Sequence, residues 1–327
     1  MKNKVNIKFK GYHGFANYTP TLGWICSNIL KKWNLYEELG RGETNLSIHM
    51  GTAHLDNVRV IGKYEMDVAM VNSNTAYMGY AGLGLFKVYG EKYPNIVSLG
   101  SIPHDDNLVF AVDVATGVNS IEDIKKNKVP LRIATNYNDG VDHVGFVVEE
   151  VLKAYGFSSE ELESWGGKML RGGGPQPALK AMVEGRANAI FHEGLNLWPE
   201  SKILEVRQLK FLPFREDIVD SLEKNVGVRR KILPKGKLNA ENDTLTLDWG
   251  DWQLITTERL DDDVAYLIAS ILIEDKKEYE DLYTKRVPPK TSVDVPVTPE
   301  KVLRTLHWGL KLHPGAERYY REKGFLK

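Results

Sequence analysis

Cysteine is almost absent from this sequence, which has 327 residues and a single cysteine, Cys26. A lone cysteine cannot form a disulfide within the chain, so a disulfide-stabilised fold is excluded and the redox compartment stays open. Cys26 falls on the apolar side of a predicted helix, a placement that favours a small buried hydrophobe over a nucleophile. The 42% of hydrophobic residues is ordinary for a globular protein with a sizeable core.

An excess of charge is also lacking, because 43 basic residues face 44 acidic ones. This balance argues against a nucleic acid or an anionic membrane as a partner. No apolar run is long enough to span a membrane, and the first ten residues lead into an alternating strand instead of a signal peptide. The sequence as written predicts a cytoplasmic protein, or a periplasmic or extracytoplasmic one if the chain is a processed form.

Nucleotide and metal motifs are missing as well. The run Gly172-Gly173-Gly174-Pro175 lacks the spacing of either phosphate-binding glycine motif, so it predicts a connection before a helix. Neither an HExxH motif nor a cysteine pair occurs, and we predict no cofactor and no metal site.

The most informative stretch covers residues 131–156. It begins with a short apolar strand and continues as a polar loop, residues 135–140. Apolar residues then recur at the spacing of one helix face, and Gly156 is placed to end that helix. A strand that enters a helix through a polar turn presents backbone N–H groups that stabilise an anion. We therefore predict that this loop is one side of a ligand cleft.

The same order of strand, polar loop and helix recurs along the chain. Predicted strands cover residues 5–9, 46–50, 66–71, 96–102, 108–114 and 187–191, and residues 245–256 alternate like one further strand. Such repetition is typical of an α/β fold with parallel sheets covered on both faces. Because the units fall in two sets, we predict two αβ domains with a ligand cleft between them.

Residues 312–324, LHPGAERYYREKG, closely resemble the C-terminal signature of the TAXI-type solute-binding proteins. These are the receptors of one class of tripartite ATP-independent periplasmic (TRAP) transporters. Residues 11–18, 51–57, 66–69, 120–124 and 185–189 resemble further family segments and occur in the family's order.

The resemblance implies a type II periplasmic-binding-protein fold. Domain one would comprise residues 1–107 and 245–327, and domain two residues 108–244. It also implies a binding protein that closes on a small organic molecule, an anion such as a carboxylate, with TRAP membrane subunits as possible partners. The chain departs from the family where cleft positions that are serine or threonine there are histidine or asparagine here.

Candidate ligand-binding residues are those at the predicted strand ends, together with nearby aromatic residues. They are Tyr12, His13, Phe15, Thr52, His54, Asn72, Ser73, Asn74, Thr135, Asn136, Tyr137, His143, His192, Glu193, Trp198 and Trp249. Clustered imidazoles can bind an anion, move protons or hold a metal. The alternative is that each histidine is a loop residue with a local hydrogen bond. His143 would be neutral, since it stands at the positive end of a helix.

A second hypothesis is a cytoplasmic enzyme on the same fold, such as an aromatic-acid decarboxylase or another lyase. Its catalytic residues would be His192, His143 and Glu193, with a histidine as proton donor. A divalent metal is possible in this alternative only.

Overall fold

The computed structural model describes residues 4–12, 18–35, 43–51, 54–286 and 294–327. Its strands are β1 (Lys4–Tyr12), β2 (Glu43–Gly51), β3 (Val68–Asn72), β4 (Ile96–Ile102), β5 (Asn107–Asp113), β6 (Arg132–Asn136), β7 (Lys168–Gly172), β8 (Ala189–His192), β9 (Leu209–Phe211), β10 (Arg230–Leu233), β11 (Thr244–Asp248) and β12 (Trp252–Thr257).

The α-helices are α1 (Tyr18–Leu35), α2 (His54–Gly62), α3 (Ser73–Ala81), α4 (Gly84–Val88), α5 (Ile121–Lys126), α6 (His143–Ala154), α7 (Ser159–Ser164), α8 (Pro175–Val183), α9 (Ile203–Val206), α10 (Glu216–Asn225), α11 (Asp262–Glu274), α12 (Lys276–Asp281), α13 (Pro299–Val302) and α14 (Pro314–Glu322). Short 3-10 segments cover Val114–Thr116, Leu195–Leu197, Lys237–Asn239 and Leu303–Trp308, and Leu282–Arg286 form a π-helical turn. None of the described helices combines the length and the apolar character that crossing a bilayer requires.

Two sheets form the centre of the molecule. The first has the order β2-β1-β3-β12-β4, and the second has the order β10-β11-β5-β8-β6-β7 with β9 paired to β5. We call the elements around the first sheet the first lobe and those around the second sheet the second lobe. The prediction of two αβ units is confirmed.

The predicted parallel arrangement holds for part of each sheet. Strands β1, β2 and β3 are parallel, and so are β6, β7 and β8. However, β12 runs antiparallel to both of its neighbours in the first sheet, and β5 runs antiparallel to β8 in the second. These two strands immediately follow a passage of the chain from one lobe to the other, and each enters its new sheet in the reverse direction.

The passage back to the first lobe interrupts the strand predicted for residues 245–256. Strand β11 still pairs with β10 and β5 of the second sheet, whereas β12 belongs to the first sheet. Between them, Asp251 adopts a left-handed backbone conformation with φ 51°, which ends the extended run. The chain therefore passes between the sheets at Trp249–Asp251, a few residues after the predicted domain boundary at 245.

Apolar side chains are buried on the faces of both sheets. One cluster packs α1, α11 and α14 on the first sheet and includes Phe9, Ile268 and Tyr320. Cys26 lies in this cluster, and burial raises the pKa of its thiol to about 12. A second cluster continues from the first lobe at Phe86 into the second lobe, so the lobes share an apolar contact.

The stretch 131–156 has the predicted structure. Strand β6 and helix α6 are joined by a polar loop, and Gly156 adopts φ 82° beyond the helix end. Asp142 caps α6 by accepting from the N–H groups of Val144 and Gly145 at 2.8 and 3.2 Å. The carboxyl end of β6 and the start of α6 thus stand together.

Candidate ligand-binding site

Two chain crossings connect the lobes side by side, at residues 103–106 and 249–251. The backbone N–H of His104 donates to the Asp251 carboxylate at 3.0 Å, and the N–H of Asp251 donates to the His104 carbonyl at 2.8 Å. The N–H of Trp249 donates to the Asp106 carbonyl at 3.2 Å. These bonds join the crossings into one hinge.

Asp251 links this hinge to the surrounding elements. Its carbonyl accepts from the Ser73 hydroxyl at 2.9 Å, and its carboxylate pairs with Arg304 at 2.6 Å. Burial raises the pKa of Asp251 to about 6, and Arg304 acts against this shift. Ser73, a predicted ligand residue, is therefore bound to the hinge, where its hydroxyl also accepts from Gln253 at 2.8 Å.

A group of aromatic and imidazole rings lies beside the hinge, where the two lobes meet. We call it the cleft ring group, and its members are Tyr18, His54, His104, His143, Trp249 and Trp252. His54 of the first lobe meets His143 of the second with ring centroids 5.1 Å apart. His143 also stacks on Trp249 at 5.1 Å and an interplanar angle of 11°. The prediction that His54, His143 and Trp249 share one site agrees with this placement.

The three histidines of the cleft ring group are neutral near pH 7. Burial lowers the pKa of His143 to about 3. Burial also lowers the pKa of His54 well below its usual value, with a smaller contribution from His143. The pKa of His104 falls to about 3, because the ring is buried and Lys231 is near. The neutral form predicted for His143 is supported, but its main cause is burial.

Asn136 connects the segments that place His143. Its amide N–H donates to Asp142, the cap of α6, at 2.9 Å. Its oxygen accepts from the N–H of Gly174 at 2.9 Å and lies 2.7 Å from Nε2 of His192. One side chain therefore ties the end of β8 and the loop before α8 to the start of α6. Asn136 thus has a positioning role, which was not apparent from its sequence position.

His192 is fully buried, and both of its ring nitrogens are engaged. Nε2 contacts Asn136, and Nδ1 lies 3.1 Å from the carbonyl oxygen of Glu193. Burial lowers the pKa of His192 to about 4. The ring therefore holds the strand ends together, and a ligand would reach it only by displacing Asn136.

Glu193 and Asp106 form a buried pair of carboxyl groups beside His192. Asp106 accepts from the backbone N–H groups of Asn107, Gly194 and Leu195 at 2.8, 2.9 and 3.1 Å. Burial raises the pKa of Asp106, and these three bonds act against that shift. Burial and the charge of Asp106 raise the pKa of Glu193 well above its usual value. The protonated form of Glu193 is therefore favoured, and its side chain hydrogen-bonds to Asp106.

Three buried polar atoms near the cleft have no hydrogen-bond partner among the described residues: Asn74 Nδ2, Thr135 Oγ1 and His143 Nε2. Asn74 belongs to the first lobe, and Thr135 and His143 belong to the second. The orientation of Asn74 is fixed because its oxygen accepts from Thr75 N at 2.7 Å, which leaves its N–H donors free. Unsatisfied buried polar groups are rare in folded proteins, so these three atoms are candidates for bonds to a ligand.

The remaining candidates are dispersed. The Asn72 amide contacts the Trp249 carbonyl at 3.5 Å, and Tyr137 is 49% exposed on the loop before α6. Trp198 is buried in the core of the second lobe, where it stacks on Phe211 at 5.8 Å. His13, Phe15 and Thr52, and the side chain of Tyr12, lie outside the described residues.

Metal-binding chemistry finds little support in the described ranges. Within them, no group of three or more histidine, cysteine, aspartate or glutamate side chains is arranged to hold an ion. The arrangement instead offers neutral hydrogen-bonding groups and aromatic surfaces between two lobes. Neutral hydrogen-bonding groups beside aromatic surfaces are typical of sites for small organic molecules.

Solved structures with a similar fold are binding proteins and related chains. A Xanthomonas citri protein bound to ATP matches with a TM-score of 0.53 at 10% identity, covering 98% of this chain and 99% of that one. PhnD1 from Prochlorococcus marinus, in complex with methylphosphonate, gives 0.47 at 12% identity, with 99% of each chain covered. A TRAP periplasmic solute-binding protein from Rhodobacter sphaeroides gives 0.42 at 11% identity, with 98% and 90% covered.

Identities this low describe the fold alone. A family model provides the assignment, because it matches residues 33–324 and so spans most of the chain. The chain belongs to the NMT1-like family.

Proposed function

We propose that this chain is a solute-binding protein that encloses a small anionic organic molecule between its two lobes. The observation that carries the proposal is the set of unsatisfied buried atoms, Asn74 Nδ2, Thr135 Oγ1 and His143 Nε2. They belong to both lobes, and two of them lie on segments that follow strand carboxyl ends. A ligand bonded to all three would hold the lobes together.

The start of α3 supports a negatively charged ligand. Asn72 precedes this helix and makes no side-chain cap bond, so the positive end of the helix is not neutralised by a carboxylate. Asn74 adds a fixed amide donor in the first turn. Neutral donors of this kind bind anions without a buried cation. The Xanthomonas citri relative of the fold was solved with ATP, which is an anion.

The finer assignment within the family rests on the sequence. The tail at residues 312–324 supports a TAXI-type receptor that delivers its ligand to TRAP membrane subunits. Such a receptor works outside the cytoplasm, so we propose a periplasmic or extracytoplasmic location. Cell fractionation followed by immunoblotting would test the location, and co-purification with neighbouring membrane subunits would test the partner.

Two measurements test the proposal. Thermal-shift screening identifies compounds that raise the melting temperature, and isothermal titration calorimetry then measures their binding. The panel contains organic carboxylates, phosphonates and sulfonates at near-physiological salt. We expect at least one to raise the melting temperature and to bind with one-to-one stoichiometry. Asn74→Ala and Thr135→Val should weaken that binding about 10-fold each. Asn225→Ala, which removes an exposed amide on α10, is the control and should leave binding unchanged. A panel with no binder would contradict the proposal.

The enzyme alternative makes a different prediction. A decarboxylase would release carbon dioxide from aromatic acids, with or without a divalent metal, and His143→Ala would abolish this turnover. A neutral His143 with a pKa of about 3 is a poor proton donor near pH 7, and His192 has both nitrogens engaged. We expect saturable binding without turnover.

A further inference from the structure

Lys10, near the carboxyl end of β1, is a partly buried cation without a partner among the described residues. The other partly buried lysines and arginines in the described ranges all contact a carboxylate, an oxygen acceptor or an aromatic ring. Removing an ammonium from water without a counter-charge is unfavourable, and buried charges in proteins are normally paired. The charge of Lys10 is therefore available to an anion from outside the described part of the chain.

The Lys10 ammonium lies against Gly51, the last residue of β2. A Cβ at Gly51 would be 2.9 Å from both Cε and Nζ of Lys10. The two strands are parallel, with Lys10 opposite His49 and Tyr12 opposite Gly51, so the lysine reaches toward the end of the neighbouring strand. Glycine leaves space there for the ammonium, and any other side chain would displace it.

A buried acceptor lies at the same place. The Cβ position of Gly51 is 3.6 Å from the side-chain oxygen of Asn57, which is fully buried and has no hydrogen-bond partner within the described ranges. The orientation of Asn57 is fixed, since its N–H donates to the Met70 carbonyl at 3.0 Å. An ammonium has three N–H donors, so Asn57 can accept one and two remain for an anion.

This site is close to the cleft ring group. Asn57 follows His54 by three residues on α2, so the two side chains lie on the same helix face, about one 5.4 Å turn apart. His54 in turn contacts His143 of the second lobe. An elongated ligand could therefore bond to Asn74, Thr135 and His143 at one end and reach Lys10 at the other.

We infer that Lys10 is the residue that selects for negative charge on the ligand, with Gly51 and Asn57 forming the remainder of its site. The inference rests on the proposed function, because it assigns a specificity residue to the same cleft. It predicts a ligand class: organic anions whose charged group lies beyond the part of the molecule held between the lobes. Charge recognition then comes from the first lobe.

The test compares acids with their uncharged amides on the wild type and four variants. The probes are succinate and succinamide, benzoate and benzamide, and lactate and lactamide, together with any further acid that binds the wild type in the panel above. Lys10→Met should weaken the binding of an acid about 10- to 100-fold and leave its amide unchanged. Lys10→Arg, which keeps the charge, should restore most of the affinity. Gly51→Ala should weaken acid binding by displacing the ammonium.

Lys8→Met is the matched control, since Lys8 lies two residues earlier on the same side of β1 and is exposed. It removes the same charge and should change acid affinity less than 2-fold. If the wild type binds an acid and Lys10→Met binds it equally well, the role of Lys10 is overturned while the proposed function stands. If the wild type binds no acid, both are overturned. An equal loss for acid and amide would also overturn the inference, because it would indicate a packing effect.

Discussion

Helices α3 and α6 both begin at the cleft, one in each lobe, but their first turns differ. Helix α6 carries its own anion, because the Asp142 carboxylate accepts from two N–H groups of its first turn. Helix α3 has asparagine at the corresponding position, and that side chain makes no cap bond. The start of α6 is therefore bonded to a carboxylate, whereas the start of α3 has no carboxylate at its cap position.

The difference indicates that the two lobes have different roles in ligand binding. The second-lobe side of the cleft is fixed before any ligand arrives, by the bonds that join Asp142, Asn136 and His192. In the part of the chain that the structure describes, the first-lobe side has amide donors without an acceptor at Asn74 and a charge without a counter-ion at Lys10. A ligand would then place its negative charge toward the first lobe and its other contacts toward the second.

The largest effect is expected when the start of α3 is given a carboxylate, as the start of α6 already has. Asn74→Asp would replace the free amide donor with a negative charge in the first turn. We expect anion affinity to fall by roughly 100-fold or more, since a donor is lost and a repulsion is added. Titration calorimetry with the best acid of the panel measures this. Asn225→Asp is the control and should bind like the wild type. If Asn74→Asp binds the acid within 3-fold of the wild-type affinity, the proposal that the first lobe receives the negative charge is contradicted.

The pH dependence of stability tests the carboxylate at the start of α6. Burial raises the pKa of Asp142 to about 6, above the ordinary value of 3.8. The folded state then holds this proton more tightly than the unfolded state, so the contribution of Asp142 to stability is present below pH 3.8 and is lost as the pH rises through about 6. Asp142→Asn should remove this dependence and make the pH 4 to 7 stability profile flatter by roughly 1–3 kcal/mol.

Urea unfolding of both proteins at several pH values measures the effect. Asp220→Asn, which alters an exposed carboxylate on α10, serves as the control. Identical profiles for wild type and Asp142→Asn would show that Asp142 does not titrate in this range.

Removing the Asp142 carboxylate from the start of α6 should have a smaller effect on stability. Asp142→Ala leaves two N–H groups of the first turn without their acceptor and frees the Asn136 amide. We expect a loss of about 1–2 kcal/mol in the free energy of unfolding at pH 7. Urea unfolding with Asp220→Ala as the control measures it. A loss no greater than that of the control would mean that the cap contributes nothing.

The smallest effect is expected at the edge of the cleft, where the lobes touch directly. The Tyr89 hydroxyl of the first lobe donates to the Gly140 carbonyl of the second at 2.6 Å, and Tyr89 is half exposed. Tyr89→Phe should cost at most about 1 kcal/mol and shift ligand-free protein toward more open forms. Small-angle scattering would show a slightly larger radius of gyration. Tyr64→Phe, also exposed, is the control, and equal radii for both variants would count against this contact.

Much of the fold could be predicted from the sequence because strands and helices leave local patterns. Strand β4 has the predicted bounds, and helix α6 agrees within a residue. The break at Trp249–Asp251 could not be predicted, since residues 245–256 keep one alternation while changing sheets. Alternation reports which face is buried and says nothing of which sheet a strand joins.

The contacts of the site were harder to predict, because they join distant residues. Asn136 and His192 are 56 positions apart, and nothing in either segment indicates that they meet. Lys10 was not a candidate, since one lysine in an alternating strand is ordinarily exposed. Its burial depends on the register that brings β1 beside Gly51. The ligand contacts of all the candidate residues, including Tyr12, His13, Phe15 and Thr52, stay predictions.

His143 stacks on Trp249, and His104 stacks on Trp252. These contacts make the two tryptophans intrinsic fluorescence probes of the cleft. Both indoles lie at the hinge, where any rotation of one lobe against the other changes their distance from an imidazole. Intrinsic tryptophan emission should therefore follow opening, closing and ligand capture in real time. Unlabelled protein could then be used to measure the rate of each step.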